Sequence, residues 1–198
     1  MINLQKGQSI NLSKEVNAQG LQNLRASIGW DPNKFNTGGK FDLDISCFAL
    51  ADLGGGSYKL QKGSDFCFYN APIAANGALK YSGDNTTGGG EGDDEYIDID
   101  LSKAEAGITN FSIVVSIPDP LNKTLNFGMV SNSYVRITNT LTGEEIARYD
   151  LGEDFSTETA VQFGSIYLYN NEWKFKAIGQ GFQAGLSEFL EEYKYDNN

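Results

Sequence analysis

Apolar and polar residues alternate along much of this chain with a period of two, the repeat of a strand with one buried face. Phe41-Asp42-Leu43-Asp44-Ile45-Ser46-Cys47 alternates without a break, and the phase slips at Phe48, which predicts a bulge or burial on both faces there. Ile97, Ile99 and Leu101 fall on one side of a second segment, with Tyr96, Asp98 and Asp100 on the other. Phe111 to Ile117 is rich in β-branched residues and stops at Pro118-Asp119-Pro120, which cannot continue a ladder. Two hairpins are expected. In one, Tyr134 to Ile137 and Glu145 to Tyr149 flank Thr142-Gly143; in the other, Ser165 to Tyr169 and Trp173 to Ile178 flank Asn170-Asn171.

Helical spacing appears at the C-terminus, where Leu186, Phe189, Leu190 and Tyr193 stand at i, i+3, i+4 and i+7 with Ser187, Glu188, Glu191 and Glu192 outside. These elements predict an all-β fold, an antiparallel β-sandwich with a C-terminal amphipathic α-helix packed on an edge or end. No composition shift marks a domain boundary, so residues 1–198 are expected to form a single domain.

Composition narrows the chemistry. The chain has no His, so a Ser-His-Asp triad, a Cys-His pair and imidazole metal ligands are all excluded. A formal net charge of -11 disfavours direct contact with nucleic acid or anionic lipid and favours hard cations. No apolar run has the length of a spanning helix, and polar residues interrupt Met1 to Leu12, which does not read as a signal peptide. Cys47 and Cys67 do not make a disulfide framework and read as reduced, buried residues of a cytoplasmic protein.

Residues 84–100, DNTTGGGEGDDEYIDID, hold seven acids and no base, where an even spread of the chain's 26 acids would give about two. Gly88, Gly89, Gly90 and Gly92 permit positive φ and let carbonyl groups turn inward. Carboxylate, amide and carbonyl oxygens converging on one point suit Ca²⁺, which takes 6–8 oxygens at about 2.3–2.6 Å. A phosphate cradle would need a Lys or a helix dipole, and this segment has neither. An EF-hand counted from Asp84 places Gly89 and Glu95 correctly but puts Gly88 at a ligand position and lacks helical flanks. A merely solvated acidic turn is the plain alternative.

In an extended strand Asp42 and Asp44 project from one face about 7 Å apart at Cα, leaving room for a cation, though an ordinary solvent face has the same spacing. Asp31, between Trp30 and Pro32, is a third carboxylate near a strand end.

At these residues the chain resembles the tellurium-resistance TerD family, which includes bacterial general stress proteins. The matching stretches are Gly29-Trp30-Asp31, Phe41-Asp42-Leu43-Asp44, Phe68-Tyr69-Asn70 and Gly83-Asp84-Asn85 through Gly92-Asp93-Asp94-Glu95. They continue in order through Arg148-Tyr149-Asp150-Leu151, Glu158-Thr159-Ala160, Trp173-Lys174-Phe175 and Gly179-Gln180-Gly181-Phe182. The resemblance implies a Ca²⁺-binding β-sandwich acting in stress response as a non-enzymatic adaptor, assembling with other Ter-family or membrane-associated proteins. Carried over by position, the ligand pool it implies is Asp42, Asp44, Asp84, Asn85, Glu91, Asp93, Asp94 and Glu95, joined by Asp31 and Asn70. Gly89 stands where family loops often carry an acid, and Tyr81 where a His commonly precedes the loop.

Other residues read more plainly. Glu153, Asp154 and Glu158 lie beside Ser156 and Thr157 and suggest a turn, while Trp30, Trp173, Phe175 and Phe182 are expected in the core. Two competing functions use the same acids. Paired carboxylates could run glycoside hydrolysis, and a Ca²⁺-bearing sandwich could bind sugars as a lectin does.

Overall fold

The computed structural model of the protein describes residues 6–15, 20–33, 40–118, 125–151 and 155–194. Its strands, in chain order, are β1 (Ser9–Ile10), β2 (Leu24–Gly29), β3 (Asp44–Asp52), β4 (Tyr58–Leu60), β5 (Phe66–Cys67), β6 (Ile73–Ala74) and β7 (Leu79–Tyr81). There follow β8 (Glu95–Ile99), β9 (Ile108–Ser116), β10 (Tyr134–Asn139), β11 (Glu144–Asp150), β12 (Ala160–Tyr169) and β13 (Glu172–Phe182). One helical turn, α1 (Leu12–Glu15), lies near the start, and α2 (Ser187–Tyr193) near the end.

Two antiparallel sheets result. The first runs β1-β13-β12-β9-β3-β4, with β5 also paired to β3, and the second runs β11-β10-β2-β8-β7-β6. Inward residues of both sheets, among them Ile28, Ile45, Ile97, Phe111, Ile113, Val135 and Phe163, form the main core. The expected sandwich is therefore present. The C-terminal helix is present too, with Phe189 and Tyr193 buried and Leu190 turned partly to solvent.

The phase slip at Phe48 is burial on both faces, because the irregularity between β3 and β9 falls further on, between Leu50 and Ala51. Phe48, Leu50, Phe66 and Val114 lie on the outer face of the first sheet and form a second apolar cluster under Phe189 and Tyr193 of α2. Burying a side chain such as Phe189 there contributes about 2 kcal/mol, and that burial holds a seven-residue helix that would not persist alone.

The hairpin between β12 and β13 turns at Asn170 and Asn171, both at positive φ, as a two-residue turn matched to strand twist requires. Its strands are longer than the alternation alone indicates. A bulge in β12 between Gln162 and Gly164 interrupts the period and hides the first half of the strand from a count of two. Gly164 is required there, since a Cβ would meet the Phe175 ring at 2.5 Å.

Candidate metal centre

Strands β3 and β8 belong to different sheets, and the acidic loop, which leads from β7 into β8, brings Asp84 to the start of β3. The segment entering β3 carries Asp42 and Asp44, and the loop carries Asp84. Carboxylate oxygens of these three residues lie within 4.8 Å of one another. Asp44 is buried, Asp42 half-buried and Asp84 exposed, so the cluster opens to solvent on the loop side.

Glu95, the first residue of β8, is fully buried beside them. One of its oxygens accepts from the Ile45 N–H at 3.1 Å and the other from the Asn85 N–H at 3.0 Å. Burial, aided by the charge of Asp44, pushes the Glu95 carboxyl up to about 8, against the pull of those two amides and of Tyr81. Burial and the adjacent Glu95 likewise push the Tyr81 hydroxyl far above the usual phenol range.

The glycine loop is not a free linker. The Asn85 side chain accepts from the Thr87 N–H and hydroxyl and from the Gly88 N–H, which closes an Asx turn. Gly88, at φ +63, is buried against the Trp30 indole, where a Cβ would stand 2.3 Å from Nε1. Trp30 in turn donates from Nε1 to the Phe41 carbonyl at 3.1 Å. The loop is thus packed through one indole onto the segment that carries Asp42.

The consecutive acids at the loop's end go separate ways. Asp93 faces β10, accepting from the Tyr134 hydroxyl at 2.8 Å and from Arg136 at 2.9 and 3.0 Å in a two-point pair. Burial alone would raise its carboxyl, but Arg136 and Tyr134 outweigh that and hold it below the ordinary range. Asp94 braces the end of β2, accepting from the Trp30 N–H and from the Asn85 side-chain amide, each at 2.9 Å. Burial raises its carboxyl, and Asp93 and Asp31 add to the rise.

Of the ten residues expected to supply ligands, the structure brings Asp42, Asp44 and Asp84 together with Glu95 alongside and Asn85 one residue on. Asp31 accepts from the Asn132 side chain, Glu91 is exposed in the loop, and Asn70 is exposed in the turn between Phe68 and Ala71. The Glu158 carboxylate accepts from the neighbouring Thr157, consistent with a turn, and Glu153 and Asp154 lie outside the described residues. Tyr81, noted in the sequence only as standing where a His commonly precedes the loop, lies at the end of β7 and interacts with the buried Glu95.

The donor set suits a hard cation. Three carboxylates meet there, and oxygens bound to one Ca²⁺ stand up to about 5 Å apart. Residues 1–193 match the TerD domain.

The chain belongs to the TerD family.

It is 47% identical to general stress protein 16U of Bacillus subtilis, over 97% of this chain and 96% of that one. It is 41% identical to tellurium resistance protein TerD of Serratia marcescens, with the same coverage. Among solved structures, a homologue of telluride resistance protein from Streptomyces coelicolor A3(2) shares the fold with a TM-score of 0.70 at 19% identity, covering 84% of this chain and 93% of that one. These relatives bear the names of resistance and stress proteins rather than of enzymes. Among the described residues of this TerD chain, no helix is long and apolar enough to cross a membrane.

Proposed function

We propose that this protein is a Ca²⁺-binding member of a cytoplasmic stress-resistance assembly, acting as a non-enzymatic adaptor. The convergence of Asp42, Asp44 and Asp84 carries the reading. Those three side chains would hold the ion, and Asn85 and Glu95 would set the loop around it. The bound ion supplies positive charge that offsets the repulsion of three converging carboxylates. Asp84, on the loop, and Asp42 and Asp44, on the approach to β3, would then be held together, and the loop would present one stable surface to a partner. That partner is expected among other Ter-type or membrane-associated stress proteins. The names of the relatives support the stress role, and the whole chain, as one TerD unit, would perform it.

Calorimetric titration of the chelator-stripped protein with Ca²⁺ tests this. Saturable binding is expected, weakened at least about tenfold in Asp42→Asn and in Asp84→Asn. Undiminished affinity in both variants would overturn the site.

A further inference from the structure

The outer face of the first sheet carries a cavity remote from the acidic end. Leu50 lies six residues along β3 from Asp44, about 20 Å of strand. At the Leu50 end, beside α2, a cavity of about 390 Å³ opens between the sheet and the segment around Lys6. Volumes of this size take small organic ligands.

Its floor is polar. The bulge in β12 shifts the alternation by one residue, so Gln162 and Ser165 both face outward while Phe163 and Ile166 both enter the core. Asn110 and Ser112 on β9 stand next to them, and all four are buried. Gln162 Nε2 donates to Ser112 Oγ at 2.8 Å and to Tyr193 Oη at 3.0 Å, and Ser165 Oγ donates to Asn110 Oδ1 at 2.6 Å. Both protons on Gln162 Nε2 are thereby committed, which leaves its Oε1 to accept from a ligand. Asn110 Oδ1 is likewise engaged and its amide bonds the Tyr58 hydroxyl, which leaves one amide proton to donate. The network holds this donor and this acceptor in place, as a preorganised hydrogen-bonding floor does.

The walls add two features. Tyr58 lends an aromatic ring, and Lys6 and Lys176 stand at the rim. Neither lysine is ion-paired among the described residues, although the chain carries a net charge of -11. Glu192 is the acid among the lining residues, so the two ammonium groups leave the rim net positive.

We propose that this cavity binds a small hydroxylated anion of the sugar phosphate or sugar acid class. Gln162 and Asn110 pair with vicinal hydroxyls, Tyr58 covers a ring face, and Lys6 and Lys176 take the anionic group. The site depends on neither Asp42, Asp44 nor Asp84.

The test is NMR titration of the ¹⁵N-labelled full chain with glucose 6-phosphate, gluconate, glucose and inorganic phosphate in turn. Saturable shifts of the Asn110, Gln162 and Ser165 amides are expected with glucose 6-phosphate or gluconate. Glucose and inorganic phosphate should bind at least about tenfold more weakly. Reversing both exposed lysines, Lys6→Glu with Lys176→Glu, should weaken binding by at least about tenfold while leaving the spectrum folded. Asp84→Asn and added chelator should leave it unchanged, which separates this site from the cation site. Absence of shifts up to about 10 mM of every compound, or full affinity in the lysine variant, would overturn the proposal. Inorganic phosphate binding as tightly as the sugar phosphate would overturn its hydroxyl recognition.

Discussion

Glu95 of β8 accepts a hydrogen bond from the backbone N–H of Ile45 on β3 at 3.1 Å, so a single buried carboxyl ties one sheet of the sandwich to the other. Its second oxygen holds the Asn85 N–H and therefore the start of the acidic loop. Because Ile45 follows Asp44 and Asn85 follows Asp84, this one side chain sets the distance between two of the three clustered acids.

Glu95→Ala should accordingly cost about 3 kcal/mol, since two buried amides lose their acceptor. Glu95→Gln, which keeps the shape and one acceptor, should cost about half as much. Urea unfolding in the presence of chelator measures both. Equal costs for the two variants would show that Glu95 is valued for volume and not as an acceptor.

Gly88 is the loop position where a side chain is least tolerated, having positive φ and an indole where Cβ would lie. Gly88→Ala should destabilise by about 1–3 kcal/mol and push Trp30 off its perch. A shift of the Trp30 emission, against a Trp173→Phe background, reports the displacement. Gly89→Ala, with only a 3.5 Å contact to Thr87 and no positive φ, should be nearly neutral by the same readout.

The Asp93–Arg136 pair predicts an acid-limb effect. Asp93 holds its proton less tightly in the folded state than in the unfolded chain, owing to Arg136 and Tyr134 acting against burial. Its contribution is therefore present above the ordinary carboxylate pKa and is lost as the pH falls through its lowered folded value. The stability difference between the wild type and Asp93→Asn should be largest near neutrality and shrink below about pH 4. A difference that is flat from pH 7 to pH 2.5 would contradict the pairing.

Cys47 and Cys67 are register partners on β3 and β5, both buried and free. Burial raises the Cys47 thiol well above its ordinary value and pushes Cys67 up to about 12. Neither should react quickly with a disulfide reagent at pH 8, and both should titrate at once in denaturant, a rate difference of at least about a hundredfold. Rapid native-state reaction of either thiol would show that β5 opens.

The alternation over residues 41–47 and 96–101 announced strands because apolar residues on one side of each face the core, which writes a period of two into the sequence, while β-branched residues ending at Pro118 announced the strand over 111–117. Short strands left no such trace. Phe66–Cys67 and Ile73–Ala74 are two residues long, and β2, at Leu24–Gly29, is buried on nearly every residue, which erases the contrast between faces. The C-terminal helix was legible from Phe189 and Tyr193, but the surface it covers was not, because Phe48 and Phe66 belong to the far face of strands whose near face already explained them.

The acidic loop follows the same division. Composition by itself determined that a dense acidic, glycine-rich segment of this chain must either stay solvated or meet a cation, since like charges on a short loop repel. Which acids meet was decided by the tertiary structure. Asp93 and Asp94 adjoin Glu95 in the chain, yet one pairs with Arg136 and the other with the Trp30 backbone, while Asp84 crosses to Asp42 and Asp44. Residue type is local information and suffices to name the chemistry. The partner of each carboxylate depends on which strand lies opposite, and that depends on long-range pairing between two sheets, which local alternation does not encode.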